Sequence, residues 1–287
     1  MDSKPNILAL IDGSVYNRSI CEHAAWLANR IEASVDVVHA LGRRQVSSEP
    51  ANLSGSIGLG ARTSLLDELA ELDRQKATLA RKRGRAILED AHQCLSELNV
   101  SKVDTKLRIG EMVETVLEME SSTNIVVIGK RGEAADFDKL HLGSNLERVV
   151  RSSNRPVLVA SRTFQPIKRV LVAFDGRKSI MKAIEYLSNT PAFADLSCHL
   201  LCAGSSSTEK HRQIEGAAAM LREAGYVVST AIVNGEPEDV IAQAVLEDKF
   251  DVLLMGAYAH SRIRSLIIGS TTTEMIRSCL IPVILFR

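Results

Sequence analysis

Short apolar runs alternate with longer stretches of helical periodicity along the whole chain. In the first half this pattern predicts strands at 7–11, 34–39, 103–107, 125–128 and 156–160, and helices at 17–31, 64–98, 111–121 and 144–152. The strand runs are apolar throughout rather than alternating, and helices separate them. That combination belongs to a parallel sheet covered on both faces. The second half repeats it, with strands near 169–174, 197–202, 227–232, 251–255 and 282–286. Gly110-Glu111 and Gly235-Glu236 open the third helix of each half, where glycine suits the turn and an acid suits the positive helix end.

The halves are copies of one another. Ile7-Leu8-Ala9-Leu10-Ile11-Asp12-Gly13 recurs as Val170-Leu171-Val172-Ala173-Phe174-Asp175-Gly176, and Arg155-Pro156-Val157-Leu158-Val159 recurs as Ile281-Pro282-Val283-Ile284-Leu285. Asp12 and Asp175 are each followed 27 residues later by His39 and Cys202, and Gly143 and Gly269 are each followed 13 residues later by Pro156 and Pro282. A repeat of well over 100 residues is too long for a solenoid unit. The expected fold class is therefore α/β: two repeated doubly wound (Rossmann-like) domains, each a mainly parallel five-stranded sheet with helices on both faces. The expected boundaries are 1–162 for the first domain, 163–168 for a linker containing Pro166, and 169–287 for the second. The offset between matched residues falls from 163 at Asp12 and Asp175 to 127 at Gly129 and Gly256, so the first half carries about 36 extra residues. They lie near 43–98, as an extended Ser- and Gly-rich loop and an unusually long helix, and read equally as a lid over a site or an oligomer contact.

With 45% hydrophobic residues, each half can bury an ordinary core; a formal charge of zero and pI near 7.1 supply no global field for nucleic acid or acidic membrane. The basic cluster Arg81-Lys82-Arg83-Gly84-Arg85 is flanked by Glu68, Glu71, Asp73, Glu89 and Asp90 and reads as a solvated helix face. Five cysteines without framework spacing suit reduced thiols. No apolar run reaches the roughly 20 residues of a membrane span, and the first residues form a strand-like run instead of a signal peptide. The expectation is a soluble, cytoplasmic protein.

Few residues suggest catalysis. There is no Gly-Lys-Ser/Thr P-loop and no Gly-x-Ser-x-Gly elbow. In a strand Cys198 and Cys202 share one face while His199 points to the other, so buried strand residues are expected there instead of a metal site. His39 ends a strand and is expected as a packed, hydrogen-bonded side chain. No catalytic or metal-binding residue is assigned.

The candidate binding residues fall at the carboxyl ends of strands, where open parallel sheets take ligands at the switch in strand order. Gly129-Lys130-Arg131-Gly132 leaves a strand, and Gly143-Ser144-Asn145 opens a helix whose free amides and positive end suit phosphate. Lys130 and Arg131 add positive charge, and Ser144 can donate a hydroxyl or cap the helix. Against this stands the plainer reading that the glycines are strand-to-helix turns. Likewise Asp12 and Asp175, each before a glycine, can simply brace their turns.

The combination of Asp12-Gly13-Ser14 after a strand, a strand ending in His39-Ala40, Gly129 and Gly132 ahead of Gly143-Ser144, and then Arg155-Pro156-Val157-Leu158-Val159 resembles the universal stress protein family. The resemblance covers essentially the whole chain as a tandem pair. It implies that Asp12, with Gly13 beside it, and Ala40 lie on the adenine side of a bound ATP. Gly129, Gly132, Gly143, Ser144 and Asn145 would surround ribose and phosphates. The second site would use Asp175, Ala203, Gly256, Gly269, Ser270 and Thr271, and Thr271 and Thr272 are also placed to cap the helix start. Both copies depart from the family pattern. Ten residues instead of nine separate Gly132 from Gly143, and Ala259 replaces the second glycine of the other loop, so the first site ranks above the second.

The function implied is a cytoplasmic stress-response protein that binds adenine nucleotide, ATP with or without Mg, as a regulatory or scaffold module with little or no hydrolysis. A nucleotide-independent interaction module and a slow ATP-dependent enzyme are the alternatives. Expected partners are the nucleotide, an unidentified protein and, left open by the sequence, a second copy in a homodimer; nucleic acid and membrane are not expected. The family resemblance also implies that 156–160 and 282–286 approach one another within one chain.

Overall fold

The computed structural model describes residues 4–42, 59–130, 143–257 and 270–287. The first half runs β1 (Asn6–Ile11), α1 (Asn17–Ile31), β2 (Ser34–Leu41), α2 (Leu59–Glu97), β3 (Val103–Ile109), α3 (Met112–Met119), β4 (Ile125–Gly129), α4 (Ser144–Ser152) and β5 (Val157–Ala160). The second runs β6 (Arg169–Ala173), α5 (Lys178–Asn189), β7 (Ser197–Ala203), α6 (Thr208–Glu223), β8 (Val227–Val233), α7 (Pro237–Asp248), β9 (Val252–Gly256), α8 (Ser270–Ser278) and β10 (Val283–Phe286). Short 3-10 turns follow α3, at Glu120–Ser122, and α5, at Pro191–Phe193. The helix expected at 111–121 thus ends in a tighter last turn, as helix ends often do.

The two sheets join into one of ten strands, in the order β3-β2-β1-β4-β5-β10-β9-β6-β7-β8. Neighbours within each half are parallel, whereas β5 and β10 meet antiparallel, Val159 opposite Val283 and Val157 opposite Leu285. The approach of 156–160 to 282–286 implied by the family resemblance is therefore found. Pro156 and Pro282 stand just before these strands, where a missing N–H breaks no ladder, and their carbonyls accept from Val126 and Leu253.

Alternation along each strand builds two core layers. Ile7, Ala9 and Ile11 point to one face and Leu8 and Leu10 to the other; Val170 and Val172 separate from Leu171 in the same way. Each layer crosses the β5–β10 seam, since Leu158 and Ile284 lie in one and Val157, Val159, Val283 and Leu285 in the other. The expectation of strands apolar throughout fails at the margins. The edge strands β3 and β8 are largely half-exposed because nothing continues the sheet beyond them.

Polar contacts tie the halves as well. Arg30 of α1 donates to the carbonyls of Ala192 and Ala194 and lies over Trp26, whose ring meets Phe193 edge-on at 5.7 Å. Residues 161–168 between the halves carry neither helix nor strand. No described helix is long and apolar enough to cross a membrane.

Candidate functional site

The switch in strand order of the first half lies between β1 and β4, because β2 and β3 stack on one side of β1 and β4 and β5 on the other. The carboxyl ends of these strands bring the β1 turn, the end of β2 and the start of α4 to one edge of the sheet. In the turn, Asp12 accepts from the Ser14 amide at 3.0 Å, and Asn17 Oδ1 accepts from the amides of Asp12 and Gly13 at 3.3 Å. Gly13 sits at φ +86°, a conformation glycine adopts without strain. Asp12 therefore braces its own turn through one oxygen.

His39 ends β2 buried, with Nδ1 donating to the Ile11 carbonyl at 2.9 Å, which ties the ends of β1 and β2 together. This is the packed histidine expected from the sequence. Ala40 follows it, half-buried, at the sheet edge.

Gly129 closes β4 against α1. A Cβ there would stand 2.8 Å from Tyr16 Cβ and 3.1 Å from Tyr16 Cγ, so glycine is what lets the helix start approach the strand. Lys130 is buried, and its ammonium donates to the carbonyl of Cys279 beyond the end of α8, in the other half. Its charge is turned toward the other half. The Gly143 amide donates to the Lys130 carbonyl at 3.4 Å, which closes the base of the intervening loop and sets the first turn of α4 beside β4. Gly143 is the N-cap of α4 at φ −59°, Ser144 is its first residue and Asn145 is exposed. The first amides of such a helix have no partner within it and present a positive end. Arg131, Gly132, Ala259, Gly269 and the loop of 43–58 lie outside the described residues.

The second half repeats the frame with different chemistry. Asp175 accepts from the Arg177 amide at 3.0 Å and lies 3.6 Å from the Arg177 guanidinium, while Gly176 sits at φ +70°. Gly256 packs on Ser179 as Gly129 packs on Tyr16. At the end of β7, the Ala203 carbonyl accepts from the Lys210 ammonium at 3.2 Å. Ser270 opens α8 exposed; Thr271 donates to Glu238 at 2.8 Å and Thr272 to the Gly256 carbonyl at 3.2 Å. The two threonines, expected as caps, thus bond across to α7 and β9 instead. The first half carries apolar, buried Val113 where Glu238 would fall.

Sequence reasoning left α2 open between a lid over a site and an oligomer contact, and did not place its residues against the β1 turn. A Cβ on Gly13 would meet Ile87 at 2.9 Å and the Arg83 guanidinium at 3.7 Å, and one on Gly84 would meet Leu107 at 2.7 Å and His39 at 3.0 Å. The long helix therefore crosses directly over the β1 turn and His39, and it brings Arg83 to Gly13. A lone glycine inside a strongly helical stretch was the available signal, since it marks close packing. Cys198 and Cys202 are buried in the core as expected. His199, across the strand, is half-exposed and stacks on Phe250 at 5.6 Å, with Nδ1 2.8 Å from Ser229 Oγ. Among the described residues no His, Cys, Asp and Glu cluster could hold a metal ion.

These features have counterparts in known proteins. The profile of the universal stress protein family matches residues 5–161 and 203–287. Universal stress protein Slr1230 of Synechocystis is 35% identical over 285 residues, covering 98% of this chain and 99% of that protein. Among solved structures, a universal stress protein from Archaeoglobus fulgidus superposes with a TM-score of 0.69 at 19% identity, covering 99% of this chain and 98% of the other. A functionally unknown protein from Pseudomonas aeruginosa superposes with a TM-score of 0.63 at 16% identity, covering 99% and 92%. Whole-length identity at that level and two matched segments lead to one conclusion: the chain belongs to the universal stress protein family.

Proposed function

We propose that this chain is a cytoplasmic stress-response protein that binds ATP, with or without Mg, at the strand ends of its first half. It acts as a regulatory or scaffold module with little or no hydrolysis. Asp12, Gly13 and Ala40 take the adenine side; Gly129, Arg131, Gly132, Gly143, Ser144 and Asn145 surround ribose and phosphates. The chain divides into units 1–162 and 169–287 joined at 163–168. The observation that carries this reading is the closure of Gly143 on Lys130, which holds the positive end of α4 at the switch point between β1 and β4.

Calorimetric titration with Mg-ATP tests it, with binding expected in the micromolar range at one site per chain. Gly143→Asp places a carboxylate at the mouth of the helix end and should abolish binding. Aspartate is itself a good N-cap, so the thermal midpoint should hold. Retained affinity in this variant would overturn the site assignment.

Two observations favour the alternative of a nucleotide-independent interaction module. Packing on Tyr16 already accounts for Gly129, and the seam already occupies the Lys130 ammonium. Silence at millimolar ATP would establish that alternative, and metal-dependent turnover lost in Asp12→Asn would establish a slow enzyme.

A further inference from the structure

Helix α2 has two parts. Its last turns pack on the sheet through Leu88, Ala91 and Leu95, all buried in the core. Ahead of Gly84 the helix continues past the strand ends, and residues 65–83 span about 27 Å at 1.5 Å per residue. On this stretch Leu66, Leu72 and Leu79 are 44%, 50% and 68% exposed. Leu65 and Leu69, half-buried, and Leu72 and Leu79, exposed, follow one another at spacings of four, three and seven, with Lys76 in the skipped place. That is the a/d stripe of a short coiled coil, with Leu65, Leu72 and Leu79 at d and Leu69 and Lys76 at a.

Charge is sorted within residues 65–83 of this helix: every acid, from Asp67 to Asp73, precedes every base, from Arg74 to Arg83, while Glu89 and Asp90 lie beyond Gly84. We propose that residues 65–83 of α2 pair antiparallel with the same residues of a second copy of this chain. With Leu69 set against Leu79 of the second copy, Leu72 meets the aliphatic stem of Lys76. The flanking position then places Glu68 against Lys82, twice by symmetry. The antiparallel register brings Asp73 to Asp73 once, at the dyad, whereas the parallel one sets Lys76 against Lys76 and Glu68 against Asp73 twice and forms no Glu68–Lys82 pair, so charge favours the antiparallel arrangement. A contact of this length is shorter than standard stable interfaces require, but both helices are already anchored by their sheet-packed halves. The expected dimer is therefore reversible, with a dissociation constant in the micromolar range.

Sedimentation equilibrium of the full chain between about 1 and 200 μM tests the pairing, against a chain mass of 31.3 kDa. A monomer–dimer equilibrium is expected. Leu72→Glu should leave monomer throughout, Glu68→Lys should weaken the dimer at least tenfold, and Glu68→Lys with Lys82→Glu should restore it. All three positions are exposed, and circular dichroism melts confirm folding of each variant. A monomer at 200 μM, a dimer indifferent to Leu72→Glu, or a charge exchange that fails to restore association would overturn the proposal.

Discussion

His23 gives the fold a specific acid sensitivity. It lies on α1 with no solvent exposure, its Nδ1 donates to the Ser19 carbonyl at 2.7 Å, and the Phe164 ring meets it edge-on at 5.0 Å. Its Nε2 has no hydrogen-bond partner, so a second proton would be buried without an acceptor. Burial pulls its pKa from 6.5 down to about 4, opposed in part by the bond to Ser19. Because the folded value lies below the unfolded one, the unfolded chain binds more protons between them. The stability tied to neutral His23 is full above about pH 6.5 and is lost as pH falls toward 4. At about 1.4 kcal/mol per pH unit the whole interval is worth about 3 kcal/mol. Urea unfolding at a series of pH values, for the natural chain and for His23→Leu, isolates it. Between pH 6.5 and 4.5 the natural chain should lose about 2 kcal/mol more than the variant. Equal losses, or a His23 proton resonance titrating at pH 6 or above, would refute the reasoning.

Gly129→Ala sets a methyl group 2.8 Å from Tyr16 Cβ and should cost about 1–3 kcal/mol by denaturant unfolding, through displacement of the start of α1. Cys94 lines a 170 Å³ cleft with Cys21 and Arg18; the Cys21 hydrogen bond, then burial acting the other way, then the Arg18 charge leave its pKa near 7. Its alkylation rate should be half-maximal near pH 7, and Cys21→Ala should move that midpoint up toward 9. In the second half, Lys210→Met with Glu238→Val removes the ammonium from the Ala203 carbonyl and the acid from the start of α8. Calorimetry should then show two ATP sites per chain against the one proposed for the natural chain; an unchanged count would place the obstacle elsewhere, with Ala259 the next position to change.

The fold was legible because each element carries a local period. β1, β4 and β9 are apolar on both faces as parallel inner strands must be, and α1 and α4 have the bounds their patterning predicts. The edge strands β3 and β8 were less so, since half-exposure reflects the missing neighbour and not the strand itself. At the site, the positions of Asp12, Gly129 and Gly143 followed from spacing, but what their atoms meet did not. The partner of Lys130 is 149 residues away, that of Thr271 is 33 away, and Arg83 reaches Gly13 from the insertion. Those pairings are set by how helices pack across the sheet, and no window of sequence contains them.

The junction also bears on how a second copy can be bound. A strand at the end of a parallel half-sheet offers unpaired amides and carbonyls to any matching chain. Here β5 and β10 spend that capacity on one another, and Val157, Leu158, Val283 and Ile284 are buried in the process. The β5 and β10 edges are thus closed within the chain, and only β3 and β8 stay as edges of the described sheet. Fusion also permits asymmetry: two identical subunits would each carry the long helix, whereas here only the first half does, and α6 ends after 16 residues. For an association of whole chains the outer edges β3 and β8 remain, and the duplication also left one surface single: Leu72 and Leu79 of α2, ahead of the turn where that helix crosses the end of β1.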